Sequence, residues 1–315
     1  MSKGSSSKNI IILDQDGGRL GNQLWNYISI YAYCLERGYT CENRSFFTYT
    51  RFFDLPLIHP VLDPLFARLP KRYQYQIYQA YRHFIKRRYS ERIIESSNVI
   101  GQQTQKPFYL PPSDTRTEPQ EMRLHALETS IETTWYFSGW LFRNPTGIQR
   151  YHHEIRTAFR PKAAFTQAAE TKITELRSTY KTIVGVHIRL TDYREYANGQ
   201  FFVSREEVQK ILFHYLERTK KTANDVCFVI CSDEPLSTSM FNDLHCCFGP
   251  GHLIQDWYLL SLTDTIIGSD STYGLFAAYY GNIPFILFRR DTVLWDQLET
   301  GQFCYDQTGS LNLQP

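Results

Sequence analysis

The sequence carries almost no net charge. Its 315 residues include 34 Lys and Arg against 32 Asp and Glu, which leaves a formal charge of +2 at pH 7. A chain that holds nucleic acid by its overall charge needs a far larger basic excess, so that class is excluded. Long apolar runs are also missing, because none reaches the roughly 18 residues of a spanning helix. With no signal peptide in evidence, these absences predict a cytoplasmic protein.

Metal-binding cysteine patterns are absent as well. The chain has seven cysteines, of which Cys227 and Cys231 are spaced as CxxxC inside an apolar segment. This spacing is not that of a zinc site. An odd number of cysteines without a signal peptide predicts buried free thiols in a reducing compartment.

One segment departs from the even charge balance. Between residues 68 and 92 lie eight basic residues against Glu91, interleaved with six aromatic ones. The basic residues are Arg68, Lys71, Arg72, Arg82, Lys86, Arg87, Arg88 and Arg92. A basic aromatic helix over residues 71–88 can lie on an anionic membrane surface, such as the inner face of a cell membrane. A solvated helix face is the alternative.

Apolar strands and helices alternate along the rest of the chain. Residues 9–13 predict a strand, followed by a glycine turn and a helix that ends at Gly38. After residue 181, further strands are expected at 183–188, 226–230, 265–268 and 284–288. Ser204 and Glu207 form a capping box before one helix, and Pro235 is expected to open another. Continuous apolar strands between helices predict an α/β fold with parallel sheets, and the length predicts two domains that divide near Pro161.

Polar residues follow each predicted strand, where open parallel sheets bind their ligands. They are Gly17, Gly18, Arg19, Gly21, Asn22 and Gln23 after the first strand, His187, Arg189 and Asp192 after the next, then Ser232, Asp233 and Glu234, and last Ser269, Asp270, Ser271 and Thr272. A guanidinium such as that of Arg189 bonds phosphate through a bidentate fork. A helix that begins at Thr272 can bind phosphate through its free N–H groups. The carboxylate of Asp233 can accept two parallel bonds from guanine. Each residue also has a structural alternative, as an ion pair or a helix cap.

Two further patterns have weaker support. Asp14 and Asp16 have the spacing of a metal-binding carboxylate pair, but such a triplet often arises by chance, and here it precedes a glycine turn. Gly18 and Gly21 lack the Lys-Ser/Thr ending of a phosphate loop and the spacing of a dinucleotide fold. ATP and NAD are therefore disfavoured as ligands.

Six segments resemble motifs of the bacterial α-1,2-fucosyltransferase family and of the wider fucosyltransferases, including protein O-fucosyltransferases. They are GGRLGNQLWNY at 17–27, WYFSGWLF at 135–142, HIRLTDY at 187–193, VICSDE at 229–234, DWYLLSLTD at 256–264 and STY at 271–273. Their order and spacing run through almost the whole chain. Two positions depart from the bacterial family: Leu190 replaces a second arginine, and Gly274-Leu275 replaces a tryptophan pair.

The resemblance implies a GT-B-like fold of two Rossmann-like lobes with a cleft between them. Residues 1–160 would form the acceptor lobe and residues 161–315 the lobe that binds a GDP-sugar. The implied donor-binding residues are Gly21, Asn22, Gln23, His187, Arg189, Ser232, Asp233, Ser271 and Thr272. No metal and no cofactor are expected.

The function implied is inverting transfer of L-fucose from GDP-fucose to a hydroxyl of a glycan, such as an α-1,2 linkage to a galactoside. Arg189 would stabilise the leaving GDP, and Asp192 or Glu195 would act as base. Asp192 could instead only orient Arg189. The partner would be a lipid-linked or cell-surface glycan. Transfer of another deoxysugar, or sugar binding without catalysis, are the alternatives.

Overall fold

The computed structural model describes residues 7–14, 18–55, 62–95, 124–139 and 142–306 of the chain. The chain separates into two compact units, one that consists mainly of the residues up to Arg160 and also includes Asp306, and one that runs from Pro161 to Tyr305. Each unit has a sheet with helices before and after its strands. The predicted α/β class with parallel strands is confirmed.

The first unit contains a four-stranded parallel sheet in the order β2-β1-β4-β3. Its elements are β1 (Asn9–Asp14), α1 (Leu20–Arg37), β2 (Thr40–Asn43), α2 (Phe47–Thr50), α3 (Leu62–Arg68), α4 (Lys71–Arg88), β3 (Ile93–Glu95), α5 (residues 124–129), β4 (Thr134–Ser138), α6 (Pro145–Arg150) and α7 (His152–Ala158). Gly38 ends α1 in the left-handed region, with a φ of 66°, which a glycine adopts without the steric cost that a Cβ brings.

The second unit contains a six-stranded sheet in the order β10-β9-β8-β5-β6-β7. Its elements are α8 (Ala163–Thr179), β5 (Thr182–Ile188), α9 (Arg205–Thr219), β6 (Val226–Ser232), β7 (Cys246–Phe248), α10 (Leu253–Ser261), β8 (Thr265–Ser269), α11 (Thr272–Gly281), β9 (Phe285–Arg289) and β10 (Thr292–Val293). Only β10 runs antiparallel to its neighbour. Every residue of β5 is buried, as expected of a central strand covered on both faces.

Most predicted elements of this unit are confirmed, including the capping box of Ser204 and Glu207 at the start of α9. The prediction that a helix begins at Pro235 was wrong. A short 3-10 turn instead begins at Thr238, because the carboxylates before Pro235 bond to other loops rather than capping a helix. All seven cysteines are free, and Cys227 and Cys231 are buried, as predicted.

Some predictions fall outside the described residues. They include Trp140 and Asp16, while Asp14 is described only as the last residue of β1. No helix in the described part of the chain is long and apolar enough to cross a membrane.

Candidate functional site

The strand order of the second unit changes direction between β5 and β8. From β5 the chain adds β6 and then β7 on one side, and it returns to place β8 and β9 on the other. Ligands of open α/β sheets bind at such switch points, beyond the carboxyl ends of the strands. Here the backbone N–H of Arg189, after β5, donates to Ser269 Oγ at the end of β8, at 3.0 Å. The predicted residues after these two strands are therefore brought together at the switch point.

Arg189 is held in a fixed orientation there. Its Nε and Nη2 donate to the two carboxylate oxygens of Asp192, at 2.9 and 2.6 Å. Its guanidinium lies 4.2 Å from the ring centroid of Tyr193. Burial lowers the pKa of Arg189, but the bonds to Asp192 and nearby charges outweigh that effect, so its pKa is raised. Asp192 thus orients Arg189, which was one of the two alternatives for this carboxylate.

Tyr193 connects this arginine to the end of β8. Its hydroxyl donates to the carbonyl oxygen of Asp270 at 2.6 Å, and burial raises the pKa of Tyr193 to about 12, so it stays neutral. The Asp270 carboxylate accepts from Arg289 Nε at 2.7 Å. The sequence assigned no role to Tyr193 or Arg289, since only the three-dimensional fold shows that Tyr193 contacts Arg189 and that Arg289 pairs with Asp270.

Asp233, at the end of β6, is exposed but its carboxylate is occupied. Oδ1 accepts the backbone N–H of Leu190 at 2.8 Å, and Oδ2 accepts the hydroxyl of Thr191 at 2.5 Å. Asp233 therefore anchors the loop that carries Arg189. Its predicted contact with guanine would have to be made with the remaining lone pairs of these oxygens or by rearrangement of the loop.

Glu234 also binds the loop that carries Arg189, through ion pairs at a second position. It pairs with both Nη atoms of Arg194, one of them 2.8 Å from its Oε2, and with Nη2 of Arg205 at 3.1 Å. The hydrogen bonds from Arg194 lower the pKa of Glu234. The neighbouring Ser232 accepts the backbone N–H of Glu234 at 3.2 Å, so Ser232 serves the turn in this structure.

His187 lies buried at the end of β5, with its ring centroid 5.1 Å from that of Tyr273 in α11. Burial and the nearby Arg189 lower the pKa of His187 to about 4, so the ring is neutral at pH 7. Among the described residues, no group bonds to its Nδ1. A Cβ on Gly274 would lie 2.8 Å from that atom, so His187 fills the space that a side chain at position 274 would need.

Ser271 and Thr272 stand where α11 begins. Ser271 is buried, and its Oγ accepts the backbone N–H of Tyr273 at a long 3.4 Å. Thr272 is the first residue of the helix. Ser271 and Thr272, at the start of this helix, thus closely follow in the chain Ser269, which accepts the backbone N–H of Arg189.

The remaining predicted donor residues, Gly21, Asn22 and Gln23, lie in the first turn of α1 in the first unit. Gln23 Nε2 donates to the carbonyl oxygen of Gly18 at 3.2 Å. Asn22 Oδ1 and Gln23 Oε1 are buried and have no partner in the described residues. Gly18 has a φ of +79°, and a Cβ there would lie 2.5 Å from Asn22 Nδ2, so this turn requires glycine.

Glu195 follows in the same loop as Asp192. Its side chain is exposed, and its backbone N–H donates to the Asp192 carbonyl oxygen at 3.3 Å. Within the described ranges, no group of three or more His, Cys, Asp and Glu residues is placed to hold a metal ion.

Solved structures share the fold. A mutant of Arabidopsis thaliana FUT1 in complex with GDP has a TM-score of 0.55 and 15% identity, over 92% of this chain and 72% of that one. POFUT1 in complex with GDP has a TM-score of 0.50 and 12% identity, over 91% and 99%. NodZ α-1,6-fucosyltransferase co-crystallised with GDP has a TM-score of 0.50 and 14% identity, over 92% and 98%. The chain has the GT-B-like fold of these fucosyltransferases. No protein-family model and no curated protein matches the sequence.

Proposed function

We propose that the protein is a glycosyltransferase that moves L-fucose from GDP-fucose to a hydroxyl of a glycan. One observation carries the proposal: Arg189 bonds through its backbone to Ser269 at the switch point of a sheet whose fold is shared with solved GDP complexes. A permanent positive charge beside a helix start is suited to a pyrophosphate. The motifs at 187–193 and 271–273 support GDP-fucose as the donor.

Arg189 retains donors for a phosphate while it is paired with Asp192. The carboxylate takes one N–H from Nε and one from Nη2, which leaves the second N–H of Nη2 and those of Nη1. Nη1 donates to Tyr193 Oη at a long 3.4 Å. In the proposed mechanism, these donors and the start of α11 stabilise the charge that builds on the leaving GDP.

The acceptor hydroxyl must lose its proton as it attacks the anomeric carbon. Both oxygens of Asp192 are bonded to Arg189, whereas Glu195 is exposed in the same loop. We assign the base role to Glu195 and an orienting role to Asp192. Inversion at the anomeric carbon without a metal follows for a direct displacement of this kind, since Arg189 supplies the charge.

The acceptor and the linkage rest on the motifs alone. Their order is similar to that of bacterial α-1,2-fucosyltransferases, so we propose an α-1,2 linkage to a galactoside of a lipid-linked or cell-surface glycan. In this scheme residues 161–315 bind the donor and residues 1–160 bind the acceptor.

Calorimetry with GDP, UDP and CMP, followed by a transfer assay with GDP-fucose, tests the proposal. We expect GDP to bind most tightly, and Arg189→Ala to lower transfer about 100–1000-fold. Arg177→Ala is the matched control, because Arg177 pairs with Asp264 at the opposite, amino-terminal ends of these strands, at 2.8 Å. Transfer near the wild-type rate in Arg189→Ala would show that the donor site lies elsewhere.

The same measurements separate the alternatives. Binding of GDP without turnover of any donor would indicate a non-catalytic binding protein, which the replacement of an arginine by Leu190 favours. Turnover of a different GDP-deoxysugar in preference to GDP-fucose would change the donor but not the site.

A further inference from the structure

We infer that the exposed face of α4 is a docking surface for an anionic lipid membrane. This helix plays no part in the donor site, so the inference is independent of the proposed function. Residues 71–88 include six Lys and Arg and no Asp or Glu. The helix begins at Lys71 and carries Lys86, Arg87 and Arg88 in its last turn.

One face of α4 is fixed on the first unit. Gln74 Nε2 donates to the carbonyl oxygen of Leu69 at 2.8 Å, and the Tyr78 hydroxyl donates to that of Leu13 at 2.5 Å. Ile85 is buried in an apolar cluster that includes Leu13. These contacts hold the helix in one rotation about its axis, so its outer face is defined.

A second side of the helix, roughly 100° around its axis from the buried residues, carries an apolar stripe. Tyr73, Ile77, Ala80 and Phe84 are spaced by four, three and four residues, which aligns them along one side of a helix. Three of these side chains are large and well exposed, at 43% for Tyr73, 49% for Ile77 and 57% for Phe84. An isolated exposed apolar residue needs no explanation, but an ordered row of them marks an interaction site.

Cationic side chains border this stripe. Arg72, Arg87 and Arg88 are all exposed at the two ends of the row. An apolar strip bordered by basic residues is the pattern of helices that lie in a membrane interface, with the rings among the acyl chains and the cations among the head groups. Nucleic acid would use the arginines but would gain little from Ile77 and Phe84, so the combination favours lipid.

Flotation with vesicles tests the surface. We expect the wild-type protein to float with phosphatidylcholine vesicles that contain phosphatidylglycerol at low ionic strength, and not with phosphatidylcholine alone. Since each basic residue near an anionic surface strengthens partitioning about fivefold, Arg87→Gln/Arg88→Gln is expected to weaken it about 25-fold. Phe84→Ser is expected to weaken it roughly tenfold through lost apolar burial.

Lys210→Gln/Arg290→Gln is the matched control, because it removes two exposed charges from the second unit and should leave flotation unchanged. Circular dichroism of each variant confirms that the fold is kept. Three outcomes would overturn the inference. They are a wild-type protein that stays unbound, equal weakening by the control pair, and flotation that is indifferent to Phe84→Ser. Retention on single-stranded RNA without flotation would assign the arginines to nucleic acid instead.

Discussion

Leu190 and Gly274 stand where the resembled bacterial family has a second arginine and a tryptophan, and the packing explains both. The side chain of Leu190 is buried in the apolar cluster of the second unit, together with Val186 and Val208. Gly274 leaves room for the ring of His187. In the proposed donor site, the phosphate contact of the HIRLTDY segment would therefore rest on Arg189 alone.

Restoring the family's arginine is expected to harm the protein rather than strengthen the site. In Leu190→Arg the guanidinium would be forced into an apolar core without a partner, which typically costs about 3–5 kcal/mol of unfolding free energy. Leu190→Met, which conserves volume, should cost under about 1.5 kcal/mol. Urea unfolding of both variants measures the difference. A stable arginine variant with tighter GDP binding would contradict this packing argument.

Binding and rate measurements should distinguish the roles of the two carboxylates in the Arg189 loop, Asp192 and Glu195. Asp192→Asn leaves Arg189 with one good acceptor instead of two, so we expect GDP affinity to fall about tenfold. Glu195→Gln should leave GDP affinity unchanged and lower kcat about 100–10,000-fold, as for loss of a general base. Calorimetry and initial rates give the two readouts. If Asp192→Asn instead tightened GDP binding, Asp192 would be a competitor of phosphate and not its orienting partner.

Two helix starts in the second unit offer a matched comparison at the scale of elements. Ser204 caps α9 in a complete capping box with Glu207, whereas the cap of Ser271 on α11 is a single long bond. Ser204→Ala is expected to lower the free energy of unfolding by about 1 kcal/mol and to leave GDP binding unchanged. Ser271→Ala should cost less stability but weaken GDP binding, because Ser271 is one of the residues proposed to bind the phosphate. Equal effects of the two variants on GDP would remove α11 from the donor site.

The regular elements were predictable because local chemistry determined them. The helix expected at residues 71–88 is found at Lys71–Arg88, and the αL glycine and the capping box mark two other helix ends where the sequence places them. The prediction of a helix at Pro235 was wrong for a tertiary reason. Asp233 and Glu234 were expected to cap that helix, yet their carboxylates bond to Leu190, Thr191 and Arg194.

The proximity of the candidate residues after β5, β6 and β8 was predictable, but their hydrogen bonds to one another were not. That residues after β5, β6 and β8 lie side by side follows from the parallel sheet, and the pairing of the three strands bears this out. Which side chains bond to one another depends on loop conformation. The pairing of Asp192 with Arg189, and the contact of Tyr193 with both Arg189 and Asp270, required the structure.

At the scale of the whole molecule, the burial of Asp256 and the burial of His187 make stability depend on pH in opposite directions. Burial raises the pKa of Asp256 to about 6, despite backbone donors such as the Gly251 N–H, and lowers the pKa of His187 to about 4. The native state therefore keeps the Asp256 proton up to a higher pH than the unfolded chain does. The stabilisation from this group is lost as the pH rises from about 4 to about 6. Neutral His187 has the opposite effect on stability. Its stabilising contribution is present above about pH 6.5 and is lost as the pH falls towards 4.

Asp256→Asn removes one of these opposed contributions and keeps an oxygen that can accept from Gly251. The variant should match the wild-type protein near pH 4 and become more stable than it by about 3 kcal/mol above pH 6, since a shift of about two pKa units is worth that amount. Urea unfolding at several pH values measures the difference. Asp291→Asn, at an exposed turn of the same unit, is the control and should change the free energy of unfolding little at any pH. A difference between Asp256→Asn and wild type that stays constant from pH 4 to 7 would mean that the Asp256 carboxylate is as well stabilised in the folded protein as in water.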